Sequence, residues 1–163
     1  MDNYHWVLNA SLVILLAKAQ VIQFVPQVCE QLVIPDGSVQ EVRHGNKSDA
    51  GRAWLEGEGA KFVKQAMHVP DSVARLGLGL GETLVLAWVM QNPGFEGVLD
   101  DLKARRCATE LRLPIVGSLR VLIVLKERGL IPLIRPAVTK FREAGLYTSE
   151  ALIRQALKLA GES

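Results

Sequence analysis

The sequence is poor in the residues that soft metals and redox chemistry use. It has two cysteines and three histidines in 163 residues. Cys29 and Cys107 stand far apart, and no Cys-x-x-Cys or Cys/His pair at ligand spacing occurs. Neither a zinc site nor a disulfide framework is indicated. Unpaired thiols fit a reducing, cytoplasmic compartment. Long apolar runs are also missing. Ala10 to Ala17 is apolar but falls short of the roughly 20 residues that span a bilayer. It is preceded by Asp2 and closed by Lys18 and Gln20, so it reads as neither a membrane span nor a signal peptide. Aromatics make up only 6%. Trp6, Trp54 and Trp88 sit among apolar neighbours, which suits a core better than a base-stacking platform. A net charge of +2 neither demands nor excludes a nucleic-acid partner.

What is present is ordinary for a folded protein: 49% hydrophobic and 22% charged residues, at a length suited to one domain over 1–163. Short apolar runs alternate with helical patterns. His5 to Leu8, Leu32 to Ile34, Gly97 to Leu99 and Pro114 to Val116 suit buried strands. Phe62 to Val69 is ambiguous, since Lys64 and Gln65 weaken a strand there. Helices are expected over Leu12 to Ala19, Val21 to Cys29, Ala50 to Leu55, Glu82 to Gln91, Leu102 to Leu111, Leu119 to Arg128, Pro132 to Ala144 and Ser149 to Leu159. Another starts at Val39 to Arg43 and carries Glu41 early. This alternation indicates a parallel sheet covered on both faces. The helices from about 132 to 160 have no strand after them, so they are expected to pack on the outside of the domain or onto a partner.

Polar groups recur where such sheets place their sites, beyond the carboxyl ends of strands. Asn9 follows the first strand, and Asp100 and Asp101 follow a later one. Glu82 opens a helix after Gly77-Leu78-Gly79-Leu80-Gly81. That glycine run is not a phosphate loop, because no lysine followed by Ser or Thr comes after it. Acids without histidines suit a hard ion such as Mg²⁺ or Mn²⁺, and the matching chemistry is metal-assisted phosphodiester hydrolysis. Each residue also has a plainer reading. Asn9, Ser11 and Asp100-Asp101 fit helix caps, Glu82 fits a helix dipole, and Glu41 fits a solvated face. Arg105 and Arg106, with Lys103 and Arg120, are either simply exposed or contacts for RNA phosphates.

An ordered set of motifs resembles one family. These are Val7-Leu8-Asn9-Ala10-Ser11, then Leu32-Val33-Ile34-Pro35 with Val39-Gln40-Glu41-Val42, then Gly79-Leu80-Gly81-Glu82. Leu99-Asp100-Asp101-Leu102-Lys103-Ala104-Arg105-Arg106, Leu113-Pro114-Ile115-Val116-Gly117-Ser118 and Lys126-Glu127-Arg128-Gly129-Leu130-Ile131-Pro132 follow in order. The closing Arg142-Glu143-Ala144-Gly145-Leu146-Tyr147 and Leu159-Ala160-Gly161-Glu162 complete the set. The chain resembles a prokaryotic branch of the PIN-domain superfamily close to VapC-type toxins. The resemblance implies a three-layer α/β/α sandwich with a central parallel sheet. It also implies a Mg²⁺- or Mn²⁺-dependent endoribonuclease for single-stranded RNA, the toxin of a toxin–antitoxin pair or a relative.

Carried onto this sequence, the resemblance puts the metal positions at Asn9, Glu41, Glu82 and Asp101, with Asp100 adjacent. Glu41, Glu82 and Asp101 take the catalytic role. Ser11, Ser118, Arg105 and Arg106 are the substrate-binding positions. An antitoxin protein and a homodimer are the expected protein partners, with no membrane, and Leu12 to Val28 is the expected partner face if it is not core. Asn9 departs from the family, whose first position is Asp in active nucleases; Leu12 and Arg120 replace a common proline and glycine. The alternative implied by Asn9 is a catalytically weakened PIN-fold protein acting in binding or regulation.

Overall fold

Apolar residues in period two need two covered faces, and the chain supplies them. In the computed structural model, which describes residues 3–39, 49–65, 68–146 and 148–162, β1 (Tyr4–Leu8) turns Trp6 and Leu8 to one face and Val7 to the other. β2 (Cys29–Pro35) does the same with Leu32 and Ile34 against Val33. β3 (Val63–Lys64), β4 (Glu96–Val98) and β5 (Ile115–Val116) complete a parallel sheet in the order β3-β2-β1-β4-β5. The ambiguous Phe62 to Val69 stretch yields only the short edge strand β3, where Val63 and Lys64 pair with Ile34 and Pro35. Pro35 is tolerated because it ends its strand near that edge.

The Trp6/Leu8 face is covered by α1 (Ala10–Lys18), α2 (Val25–Val28), α7 (Ser118–Glu127), α8 (Arg135–Glu143) and α9 (Glu150–Leu159). The Val7/Val33 face is covered by α4 (Asp71–Ala74), α5 (Leu80–Gln91) and α6 (Leu102–Glu110). The result is a three-layer α/β/α sandwich, as the alternation implies. α3 (Asp49–Glu56) packs beside α1. Among the described residues no single helix is long and apolar enough to cross a membrane.

Two expectations change. The helix expected over Val21 to Cys29 is instead a 3₁₀ turn, Ile22–Phe24, and the single turn α2, after which Cys29 enters β2. Pro26 sits in the first turn of α2, where its missing N–H costs nothing, and Cys29 is drawn out by pairing with Tyr4 of β1. The apolar residues of Leu12 to Val28 are not an open face. Leu12, Val13, Leu16, Val21, Ile22, Val25 and Val28 are buried in the chain's own core.

The last helices join that core through Phe141, Ile153, Ala156 and Leu157. What fastens them is a long-range cap. No side chain next to it in sequence caps α8. Instead Glu162, from beyond α9, accepts from Ile134 N at 2.7 Å and Arg135 N at 3.1 Å, and from Lys126 Nζ at 3.0 Å. Two orphan helix N–H groups and an ammonium thus share one carboxylate whose side chain is 5% exposed. Burial pushes the Glu162 pKa up, but the bonds from Ile134, Lys126 and Arg135 outweigh it and hold the group below its ordinary value. A lowered carboxylate pKa stabilises the fold above its unfolded value and loses that contribution as pH falls through the folded value. Glu162→Gln is expected to cost about 2 kcal/mol at neutral pH. In thermal melts across pH, the gap between wild type and variant should close below about pH 4.3; a gap independent of pH would contradict the latch.

Candidate functional site

The sheet reverses direction of growth between β1 and β4. From β1 the chain adds β2 and β3 on one side, then returns to lay β4 and β5 on the other. β1 and β4 are neighbours, with Trp6, Val7 and Leu8 opposite Glu96, Gly97 and Val98. The Trp6 indole donates to Glu96 Oε1 at 3.1 Å and locks that register. Loops leaving two neighbouring parallel strands in opposite directions leave a crevice between them, and here its walls are Asn9 and Leu99-Asp100-Asp101.

Each polar residue reaches the crevice for a local reason. Asn9 is the N-cap of α1, with its side-chain oxygen accepting from Leu12 N at 2.9 Å, and it is 3% exposed. Ser11 is exposed in the first turn of α1. Asp101 caps α6, accepting from Ala104 N at 2.9 Å. Asp100 Oδ1 accepts from Ser118 N at 2.9 Å, tying β4 to the start of α7. Gly77 makes the turn before α5 with φ +68°, in the left-handed region. Gly81 then lets α5 seat directly on the first loop, since a Cβ there would lie 3.1 Å from Asn9 Nδ2. Glu82 lies in the first turn of α5, folded back over Gly79, where the helix dipole favours its charge.

Asn9, Ser11, Glu82, Asp100 and Asp101 line one cleft of about 220 Å³, walled by Leu12, Leu15, Leu99 and the 144–146 turn after α8. Among the described residues the lining holds three carboxylates and no lysine, arginine or histidine. The other sequence-derived positions behave differently. Glu41 lies outside the described residues. Ser118 is fully buried and does not line the cleft; its Oγ and Asp100 Oδ2 are buried with no hydrogen-bond partner. Arg105 Nη1 donates to Leu99 O at 2.8 Å, so Arg105 braces the β4 end and does not itself line the cleft. Arg106 is exposed and flanks a shallow depression on α6. The contribution of Ala144, Gly145 and Leu146 was not legible as site geometry. Gly145, at φ +95°, marks the stop of α8, but only the packing of that helix carries the stop to the cleft.

Neither cysteine supplies a nucleophile here, because neither lines the cleft. Burial pushes the Cys29 thiol up to about 12, partly offset by a backbone hydrogen bond from Trp6, so it stays protonated.

The chain is thus a parallel α/β/α protein with an acid-lined crevice at its topological switch point. A family model described as a PIN domain matches residues 5–162, and the chain belongs to the PIN-domain family, whose fold is of the nuclease type. No curated protein matches it.

PIN domains generally use a divalent metal, and the donors here fit one by chemistry. Carboxylates and an amide carbonyl are hard oxygen ligands. Asp100 Oδ2, buried and without a partner, is the atom whose desolvation a cation would offset. Among the described residues no three acids, cysteines or histidines close around one point by themselves, so a bound ion needs water, Asn9 or a residue elsewhere to complete its shell. The cap role of Asn9 gives a separate expectation. Asn9→Ala should cost about 1–2 kcal/mol by denaturant melt, the range for loss of an N-cap, whereas Asn9→Asp keeps the acceptor. Equal stability of wild type and Asn9→Ala would contradict the cap.

Proposed function

We propose that this protein is a metal-dependent endoribonuclease that hydrolyses phosphodiester bonds of single-stranded RNA. The observation that carries the reading is three carboxylates converging on one cleft, among whose described lining residues there is no cation. Carboxylates gathered at a switch-point crevice repel one another, and a bound cation offsets that repulsion. Glu82, Asp100 and Asp101 would hold Mg²⁺ or Mn²⁺, with Asn9 offering its carbonyl and Glu41 as the remaining acid. A bound divalent ion supplies an acidified water and offsets charge on the scissile phosphate.

The chain's own residues orient and shield. Asn9 and Asp101 are fixed by the helices they cap, which limits how far two of the site's donors can wander. Ser118 N holds one oxygen of Asp100 and leaves the other uncommitted. Leu12, Leu15 and Leu146 give the cleft apolar sides that lower the local dielectric. Arg106, exposed on α6, would meet an RNA phosphate. The resemblance to VapC-type toxins supports the toxin of a toxin–antitoxin pair as the setting, with an antitoxin and a second copy as partners.

One observation favours a second reading. Asn9 is neutral, and its oxygen already accepts from Leu12 N. A site with one charge fewer and one ligand partly engaged suits a PIN-fold binding protein that no longer cleaves.

Cleavage of a labelled single-stranded RNA with Mn²⁺ separates the two. Activity should fall at least about a hundredfold in Asp100→Asn and in Glu82→Gln, the scale for loss of metal support. Wild-type protein inactive at near-stoichiometric concentration, with cleavage appearing in Asn9→Asp, would replace the first reading with the second. The two arginines should also part company. Arg106→Ala is expected to weaken RNA binding and flatten its salt dependence with no change in melting temperature. Arg105→Ala should lower the melting temperature, because it removes the brace on Leu99 O; the reverse pattern would contradict this division.

A further inference from the structure

Outside the acid-lined cleft, a groove of about 490 Å³ between α8 and α9 is unexplained. Four cations line it, Arg135, Arg142, Arg154 and Lys158, against the single carboxylate of Glu150. That is a local excess of positive charge in a chain whose net charge is only +2. None of the four lines the acidic cleft.

Two of these cations are already engaged by the chain. Arg142 pairs with Glu150, and Arg135 Nη2 donates to the Glu162 backbone carbonyl at 2.8 Å. The other two are not. Arg154 and Lys158 are exposed and, among the described residues, their side chains make no ion pair or hydrogen bond. They stand four residues apart on α9, so they repel one another across one helical turn. An anion seated between them removes that repulsion.

The remaining lining decides what kind of anion fits. Val138, Ile153 and Leu157 form the floor, and the aliphatic stems of the arginines form much of the walls. Among the described residues no aromatic side chain lines the groove. Single-stranded RNA is held by cations together with stacking platforms, and this groove offers only the first. The hydroxyl of Thr139, which also lines it, donates its proton to Arg135 O at 3.2 Å, so that proton is not free for a base edge. An apolar floor under a cationic rim is complementary to a peptide with carboxylates along its edges and an aliphatic residue between them. The Arg142–Glu150 pair shows the rim taking a carboxylate from within the chain.

We propose that the α8–α9 groove is a docking site for an acidic, leucine-bearing segment of a partner protein, bound as an amphipathic segment in a groove. The proposal is independent of the nuclease reading, since it uses no residue of the acidic cleft.

The test is fluorescence anisotropy with the full chain and three probes: a short fluorescein-labelled peptide rich in glutamate and leucine, the same peptide with every leucine replaced by serine, and an oligouridine of matched charge. The variant is Arg154→Glu combined with Lys158→Glu, two exposed positions whose reversal leaves the core untouched; an unchanged melting temperature confirms the fold. The glutamate–leucine peptide should bind the wild type and lose about tenfold or more in the double variant. The serine peptide should bind more weakly than the leucine one, and oligouridine affinity should stay unchanged by the variant. Absence of peptide binding, equal binding of both peptides, or a peptide affinity indifferent to the charge reversal overturns the proposal. So does loss of oligouridine binding in parallel, which would make the groove an RNA contact.

Discussion

The pairing of β1 with β4 is the constraint on which the rest depends. These strands come from distant parts of the chain, yet Trp6 lies opposite Glu96 and donates its indole N–H to that carboxylate. With this register set, Asn9 and Asp100 emerge side by side at the carboxyl ends. A slip of one residue would turn Leu8 and Val98 away from the face they share and move the acids out of reach. Gly97 belongs to the same arrangement. A Cβ on it would lie 2.8 Å from Val85, so glycine lets α5 lie close on β4 and bring Glu82 to the crevice.

The site's polar groups serve the fold first. Asn9 and Asp101 satisfy helix N–H groups, and Asp100 joins β4 to α7 through Ser118 N. Residues that are already obliged to sit at helix starts make economical ligands, because their positions are fixed without further ordering. The remaining deficit is electrostatic. Buried Asp100 Oδ2 and buried Ser118 Oγ lack hydrogen-bond partners, and the described cleft lining has carboxylates but no cation. The same layout separates functions over the surface. The acids face the switch point, while the cations of α8 and α9, two of them on α9 unpaired among the described residues, collect in another groove.

How much of this the sequence discloses follows from the range of each interaction. The caps were readable because they are local: Asn9 to Leu12 and Asp101 to Ala104 each span three residues. The layered parallel sheet was readable from short apolar runs separated by helical patterns. The stretch Val21 to Cys29 was misread because its periodicity suits a helix, while Pro26 and the pairing of Cys29 with β1 favour a turn and a strand. Partners distant in sequence left no signal. Nothing local marks Glu162 as the cap of α8, and nothing in Arg105-Arg106 says that the first arginine turns in to Leu99 O. The acids were recognised as a set by their order along the chain, while their common cleft comes from the strand order.

The reading proposed for the β1–β4 crevice predicts a divalent cation held there on oxygen ligands. Anomalous scattering from crystals grown with Mn²⁺ tests it most directly. One anomalous peak is expected within coordination distance of Asp100 and at least one of Glu82, Asp101 and Asn9, and it should vanish in Asp100→Asn. A well-ordered cleft without a peak at saturating Mn²⁺, or a peak confined to another part of the surface, would contradict the claim.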